Sequence, residues 1–211
     1  MKRLSILGAS GHGKVVAEIA EILGWNVVFF DDAYPNIKKI EGWSVIGNTG
    51  DLVASIKDGD GCFVAIGNNT IRLNKYELLA SNGAKIPVLI HPSAIISRYS
   101  TVGEGSVVMA GVVINSFAEI GKYCILNTSC TIDHDCVLGN SVHVSPGANL
   151  AGAVAVGECA WIGLGSGVRQ GIKIGKNVTV GAGAVVIEDL PENVMAVGVP
   201  AVIKESRGSK C

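Results

Sequence analysis

The sequence is poor in aromatic side chains, carries almost no net charge, has no long apolar run and lacks closely paired cysteines. Aromatics make up 5% of the 211 residues, against 28 glycines and many aliphatic residues. That mixture suits many short, tightly turned strands better than large helices. A formal net charge of −1 offers no basic surface to a nucleic acid or to an anionic membrane, so neither is expected as a partner. No apolar run reaches the roughly 18 residues that a membrane-spanning helix needs. Met1 to Ser10 combines basic residues with a short apolar stretch, but it runs straight into Gly11-His12-Gly13-Lys14, which is no signal-peptide cleavage region. A cytoplasmic protein with free thiols is expected. Its cysteines, Cys62, Cys124, Cys130, Cys136, Cys159 and Cys211, do not show the Cys-x-x-Cys spacing of a zinc site.

Three of these cysteines lie six residues apart, and that interval runs through the second half of the chain. Stepping by six from Ile90 to Val186 gives 17 positions, all Ile, Leu or Val, where ordinary composition would fill roughly a quarter of positions that way. Such a period is neither helical nor a simple alternation; it fits a short strand and a turn, repeated. Two positions before each aliphatic residue the side chain is mostly small, as at Ala94, Ser106, Ala118, Cys124, Cys130, Cys136 and Ala148. Residues two apart on a strand share a face, so both are expected to point inward. Gly103, Gly121, Gly139, Gly157 and Gly175 add a period of 18, read here as a tight corner once per coil. Three strands and three corners then make one coil of a triangular prism, with about five coils stacked about 4.8 Å apart as in a parallel sheet. This array, with Gly198-Val199-Pro200-Ala201 near its end, resembles the hexapeptide-repeat acyltransferases. The resemblance implies a left-handed parallel β-helix, an exception to the usual right-handed crossover.

Residues 1–86 lack this register and read as an α/β, Rossmann-like nucleotide-sugar-binding domain ahead of the β-helix domain, 87–211. Strands are expected at 4–7, 27–30 and 63–66, with helices over 15–23 and 70–81. The first strand runs into Gly8-Ala9-Ser10-Gly11-His12-Gly13, a loop whose N–H groups can approach an anion at a helix N-terminus. Asp31, about 20 residues on, stands where an acid binds a ribose hydroxyl in dinucleotide folds. The glycine order is G-x-x-G-x-G rather than G-x-G-x-x-G, which points to one nucleotide rather than to a redox dinucleotide.

Of the four histidines, His12 lies in this loop and His91 precedes Pro92 at the domain junction. His134 sits in Asp133-His134-Asp135, two residues past the inward Ile132 and so at an outward corner. Two flanking carboxylates raise the basicity of an exposed imidazole, which suits a general base near neutral pH. His143, half a coil later, projects from another side of the prism. Side-by-side packing of prisms as a homotrimer would bring His134 of one subunit near His143 of its neighbour, with active sites at subunit interfaces.

The Gly-Ala-Ser-Gly-His-Gly opening, Gly67-Asn68-Asn69 after a strand, the unbroken hexapeptide array and the His134-Asp135 corner together resemble one subgroup. It holds the sialic acid O-acetyltransferase-like proteins and the N-acetyltransferases of UDP- or GDP-linked 4-amino-4,6-dideoxy sugars. The resemblance implies acetyl-CoA as co-substrate, a nucleotide-sugar as acceptor, UDP foremost, and the C4 amine as the atom acetylated; O-acetylation of a sugar and a non-catalytic nucleotide-sugar-binding scaffold are the alternatives. It implies His134 as general base with Asp135 behind it, where some relatives carry Glu. His143, Leu164, Gly181 and Ala182 would line the acetyl-CoA groove, and Ser10, Gly11, His12, Asp31, Asp32 and Gly67 would hold the nucleotide-sugar. No metal is expected: a γ-class carbonic anhydrase site needs three histidines, and the β-helix has His134 and His143, with His91 at its edge. The cysteines at 124, 130 and 136 are expected inward and so are not nucleophiles. The polar tail from Lys204 to Cys211 is expected to be mobile and is assigned no role.

Overall fold

The buried run Leu4-Ser5-Ile6-Leu7 makes β1 (Arg3–Leu7) a strand covered on both faces, as the middle strand of a parallel sheet must be. The chain continues through α1 (Gly11–Ile22), β2 (Asn26–Phe30), β3 (Lys39–Ile40), β4 (Trp43–Ser44), α2 (Thr49–Ala54), β5 (Gly61–Val64) and α3 (Asn69–Ser81). The structure is a computed structural model that describes residues 2–57 and 60–206. Two units emerge, Met1–His91 and Pro92–Cys211.

In the first unit the sheet order is β2-β1-β5, all parallel, with Leu4 opposite Val27 and Gly61. Its core gathers Leu4, Ile6, Phe29, Phe30, Phe63 and Tyr76, with the Tyr76 ring edge-on to Phe63 at 5.8 Å. Each such side chain contributes about 1.5–3 kcal/mol by leaving water. The expected strands and helices are present, the third strand at Gly61–Val64 rather than 63–66. The first helix, however, begins at Gly11 rather than Val15 and so carries His12 in its first turn. Two elements are additional. The β3–β4 hairpin has strands of two residues, and α2 is a six-residue helix closed by an Asn48–Asp51 capping box. Both are too short to impose a hydrophobic period on the sequence. Asn48 and Asn68 cap α2 and α3 with their side chains, whereas Ser10 makes no such bond to α1, which also lacks an acidic residue in its first turn.

In the second unit, two-residue strands recur every six residues from Ile95–Ile96 to Val185–Val186 and build a left-handed β-helix of five coils and part of a sixth. Its first face stacks strands such as Val113–Ile114, Thr131–Ile132 and Asn149–Leu150. Its second stacks Glu119–Ile120, Val137–Leu138 and Ala155–Val156. Its third stacks Ile125–Leu126, His143–Val144, Trp161–Ile162 and Thr179–Val180. From Ile95–Ile96 to Val185–Val186 partners are 18 residues apart. The inward aliphatic residues are buried from Val108 to Val186, and Cys124, Cys130 and Cys136 are sealed among them. Ile96 and Val102 are only half-buried, because no coil precedes theirs.

The corners correct the expectation for the 18-residue glycines. Gly103, Gly121, Gly139, Gly157 and Gly175 are not left-handed. A Cβ on Gly157 would lie 2.6 Å from the Lys176 nitrogen, and one on Gly121 would lie 2.7 Å from Gly139. They are glycines because stacked backbones meet there. The left-handed residue comes two positions after those glycines and recurs at every sixth residue from Gly105 to Gly183, with φ between 55° and 72° whatever the side chain. Phe117, Tyr123, Asp135 and Cys159 all occupy it.

The array ends in Val194–Val197, which extends the third face in parallel, and Val202–Ser206, which pairs with it antiparallel. Lys204 to Ser206, expected in a mobile tail, belong to this last strand; residues 207–211, Cys211 among them, lie outside the described residues.

Candidate active site

His134 stands on the edge where the first face turns into the second. Asp135 takes the left-handed corner position, φ 59°, which carries its carboxylate back to the imidazole: His134 Nδ1 lies 2.8 Å from Asp135 Oδ2. A carboxylate only accepts, so Nδ1 carries the proton and the Nε2 lone pair is left for chemistry. The hydrogen bond to Asp135, followed by the charge of Asp133, holds the His134 pKa above the usual imidazole value. Asp133 is itself fixed, accepting from the His134 N–H at 2.7 Å and from Asn115 Nδ2 of the preceding coil at 2.9 Å. Those bonds keep its carboxyl below the ordinary range. Against the imidazole, from the coil that follows, lies Gly152, where any Cβ would sit 2.5 Å from Cε1 and 2.6 Å from Nε2 of His134.

A cavity of about 440 Å³ opens on the third face and the corner after it. His143, Leu164, Gly181 and Ala182, the four residues assigned to the acetyl-CoA groove, all line it. So do Trp161 and Ser145, which the sequence reading missed. His143 and Trp161 stack at 5.4 Å, nearly parallel at 6°. Trp161 Nε1 donates to Ser145 Oγ at 2.7 Å, and Asn127 Nδ2 lies 3.3 Å from His143 Nε2. Trp161 is the residue one coil after His143, so extending the column by 18 would have found it. The edge bearing His134 is opposite the third face, and one prism does not bring His134 and this cavity together. A larger, open concavity of about 840 Å³ runs along the second face. Its charged side chains, Lys173, Lys176, Glu158, Asp189 and Glu192, are of mixed sign and it holds no histidine, so size alone does not mark a site.

In the first unit, all six residues assigned to the nucleotide-sugar follow the carboxyl ends of the sheet strands: Ser10, Gly11 and His12 after β1, Asp31 and Asp32 after β2, Gly67 after β5. Ligands of open α/β sheets bind at such edges. Gly8, at φ 114°, and Gly13 are required by packing, since their Cβ atoms would lie 2.7 Å from Ala65 O and 2.3 Å from Gly8 O. Around Gly11 and Gly67 there is open space. Asp31 accepts from the N–H groups of Ala9 at 2.8 Å and Ala33 at 2.9 Å, so it pins the glycine loop to the end of β2. Asp32 accepts from Lys75 Nζ at 2.8 Å and from the Thr49 N–H at 3.0 Å. The Lys75 bond leads in lowering its pKa to about 2. Arg72 is buried and donates to the carbonyls of Ile66 and Gly67 and to Asn69 Oδ1. His12 keeps part of its surface exposed, but Nε2 is shut off from solvent without a hydrogen-bond partner. Burial first, and the Arg72 charge second, push its pKa down to about 4. Neither Arg72 nor Lys75 has a sequence signal beyond its place on α3.

Residues 3–79 match the family model of the PglD N-terminal domain. The acetyltransferase domain of PglB from Neisseria gonorrhoeae, in complex with acetyl coenzyme A, superposes with a TM-score of 0.92 at 43% identity, covering 96% of this chain and 99% of that one. The chain belongs to the hexapeptide-repeat acyltransferases, in the subgroup of the amino-sugar N-acetyltransferases. PerB from Caulobacter crescentus, in complex with CoA and GDP-perosamine, is a relative at 40% identity and a TM-score of 0.92, with 97% of this chain and 98% of that one covered. The UDP-N-acetylbacillosamine N-acetyltransferase of Bacillus subtilis is 37% identical over 117 residues, 52% of each chain.

For an acyltransferase of this kind the thiols are poorly placed. Cys130 is pushed up to about 12 by burial, and Cys124 and Cys136 donate to the Gly139 and Ala151 carbonyls. Among the described residues no group of three His, Cys, Asp or Glu could hold a metal ion, and no helix is long and apolar enough to cross a membrane.

Proposed function

We propose that the protein transfers the acetyl group of acetyl-CoA to the C4 amine of a 4-amino-4,6-dideoxyhexose carried on UDP, with His134 as general base. The observation that carries this reading is the His134–Asp135 pair: an exposed imidazole with Nδ1 committed to a carboxylate and Nε2 facing outward. The amine nitrogen attacks the thioester carbonyl and its proton passes to His134 Nε2. The tetrahedral intermediate collapses, the C–S bond breaks, and the CoA thiolate takes up a proton from the imidazolium. Amine and thioester become amide and thiol, and the base is restored. No covalent enzyme intermediate is required, in keeping with the burial of Cys124, Cys130 and Cys136.

Because the cavity of the third face lies opposite the His134 edge, the complete site takes His134 from one chain and the groove of His143, Leu164, Gly181 and Ala182 from a second, in a homotrimer. Ser10, Gly11, His12 and Gly67 bind the nucleotide-sugar, with Asp31 and Asp32 ordering the loops around it. The Bacillus subtilis relative supports UDP. A second reading, GDP, is favoured by the likeness to PerB over nearly the whole chain.

The test is an acetyl-transfer assay with UDP-linked and GDP-linked 4-amino-4,6-dideoxyhexoses and sialic acid in parallel, following free CoA and acceptor mass. A gain of one acetyl on the UDP-linked amino sugar is expected. A gain on the GDP-linked sugar alone replaces the nucleotide, and a gain on sialic acid alone moves the attacked atom to oxygen. His134→Ala should lower kcat by roughly 10²–10⁴-fold while acetyl-CoA binding is kept.

A further inference from the structure

Below His134 the same edge of the prism carries an arrangement that nothing described so far uses. Two and one coils earlier in the corner column that holds His134 stand Arg98 and Ser116; in the next column Tyr99 and Phe117 precede Asp135. Three of the chain's four phenylalanines, Phe29, Phe30 and Phe63, are sealed in the core of the first unit, whereas Phe117 is 60% exposed. Tyr99 is also exposed, and the two rings stack at 5.4 Å and 21°. Arg98 adjoins the stack, its guanidinium 4.7 Å over the Tyr99 ring and its Nη2 donating to the Tyr99 hydroxyl at 2.6 Å. Arg98, Tyr99 and Phe117 therefore form one contiguous strip along the edge, and the next coil after that of Phe117 carries His134 and Asp135.

An aromatic ring at this corner has two costs. It leaves apolar surface in water, and Phe117 sits at φ 62°, a conformation that disfavours any residue with a Cβ by about 1–2 kcal/mol. A ligand that covers the ring offsets the first.

We infer that the Arg98–Tyr99–Phe117 strip is a subsite for the acceptor, taking the apolar face of the hexose on Phe117 and the diphosphate at Arg98. The inference rests on the function proposed above. In a 4-amino hexose linked through C1, the amine and the first phosphate lie at opposite ends of the pyranose ring. The order amine, ring, phosphate matches the order His134, Phe117, Arg98 along the edge, with two coil spacings, about 10 Å, between the ends. An exposed guanidinium presents its remaining N–H groups to phosphate oxygens in the geometry they prefer, and it is the cation of this strip. The uncharged flanks, Ser97 and Ser116, whose hydroxyls lie 3.3 Å apart, add donors and acceptors for sugar hydroxyls.

Steady-state kinetics of the full chain test this, after wild-type turnover on the amino-sugar nucleotide has been established. Absence of that turnover removes the function proposed above, and this subsite with it. Given turnover, Phe117→Ala and the milder Phe117→Leu are expected to raise KM for the acceptor, by about tenfold for Ala, with KM for acetyl-CoA unchanged. Arg98→Gln should raise KM about tenfold for the nucleoside diphosphate sugar and leave the methyl glycoside of the same amino sugar unaffected. Unchanged acceptor KM in both Phe117→Ala and Arg98→Gln overturns the subsite. So does loss of the assembly state on size-exclusion chromatography at unchanged acceptor KM, which assigns the strip to contact with a second copy of the chain.

Discussion

At the scale of single residues, the proposed chemistry depends on which nitrogen of an imidazole is committed. Asp135 holds His134 Nδ1 and, as the largest influence, raises its pKa. A base must be deprotonated to act, so kcat/KM should rise with pH through an apparent pKa above the ordinary imidazole value of about 6.5. Asp135→Asn should move that acid limb to lower pH and lower the plateau, as read from the pH profile. Gly152→Ala puts a methyl group where the imidazole now rests; kcat should fall while the melting temperature holds, and an unaltered kcat would mean that the ring needs no such floor. His12 makes a stability prediction of its own. With a folded pKa of about 4 against 6.5 when unfolded, the unfolded state takes up the proton first. Stability is then full above pH 6.5 and declines as pH falls toward 4, by up to about 3 kcal/mol. Thermal melts at pH 7 and pH 5 should show a smaller difference for His12→Gln than for the wild type. His134 and Asp135 were legible as a pair because they are neighbours in sequence. Trp161, Ser145 and Asn127 were not, because they meet His143 across coils, 16 or 18 residues away or at the next corner.

At the scale of elements, the β-helix was readable because its inward aliphatic residues repeat without a break. The corner conformation was not, because glycine marks it only in part: Phe117, Tyr123 and Asn177 adopt the same positive φ as Gly165 and Gly183. The two classes of glycine should separate by mutation. Gly157→Ala drives a Cβ into the backbone of the next coil and should cost about 1–3 kcal/mol as an overpacking. Gly165→Ala meets nothing within 4 Å, and its cost of about 1–2 kcal/mol is conformational. Gly165→Asn should recover most of that loss, since Asn tolerates the left-handed region, whereas Gly157→Asn should be no better than Gly157→Ala. Urea denaturation midpoints decide it. The first unit was read less completely, because a two-residue hairpin and a six-residue helix bury too little to leave a period.

At the scale of the whole molecule, the proposed base stands on one edge of the prism and the proposed groove on the face opposite, so the proposed function makes one chain an incomplete catalyst. Co-expressed His134→Ala and Ala182→Trp subunits, each inactive alone, should regain activity when mixed, because some interfaces then join an intact His134 to an intact groove. A mixture no more active than its parts would require base and groove to act within one chain. The same stacking that lets coils accumulate also raises the question of why they stop. A parallel strand left bare at the end of the prism would offer its N–H and C=O groups in register to any further coil, its own or another molecule's. The strand Val202–Ser206 runs against every other strand of the third face, and a coil of the parallel kind has no matching rung to add to. The hairpin therefore acts as a terminator: a chain cut after Gly198 would be expected to grow end to end into filaments, and the few residues that follow the array keep a polymerisable lattice finite.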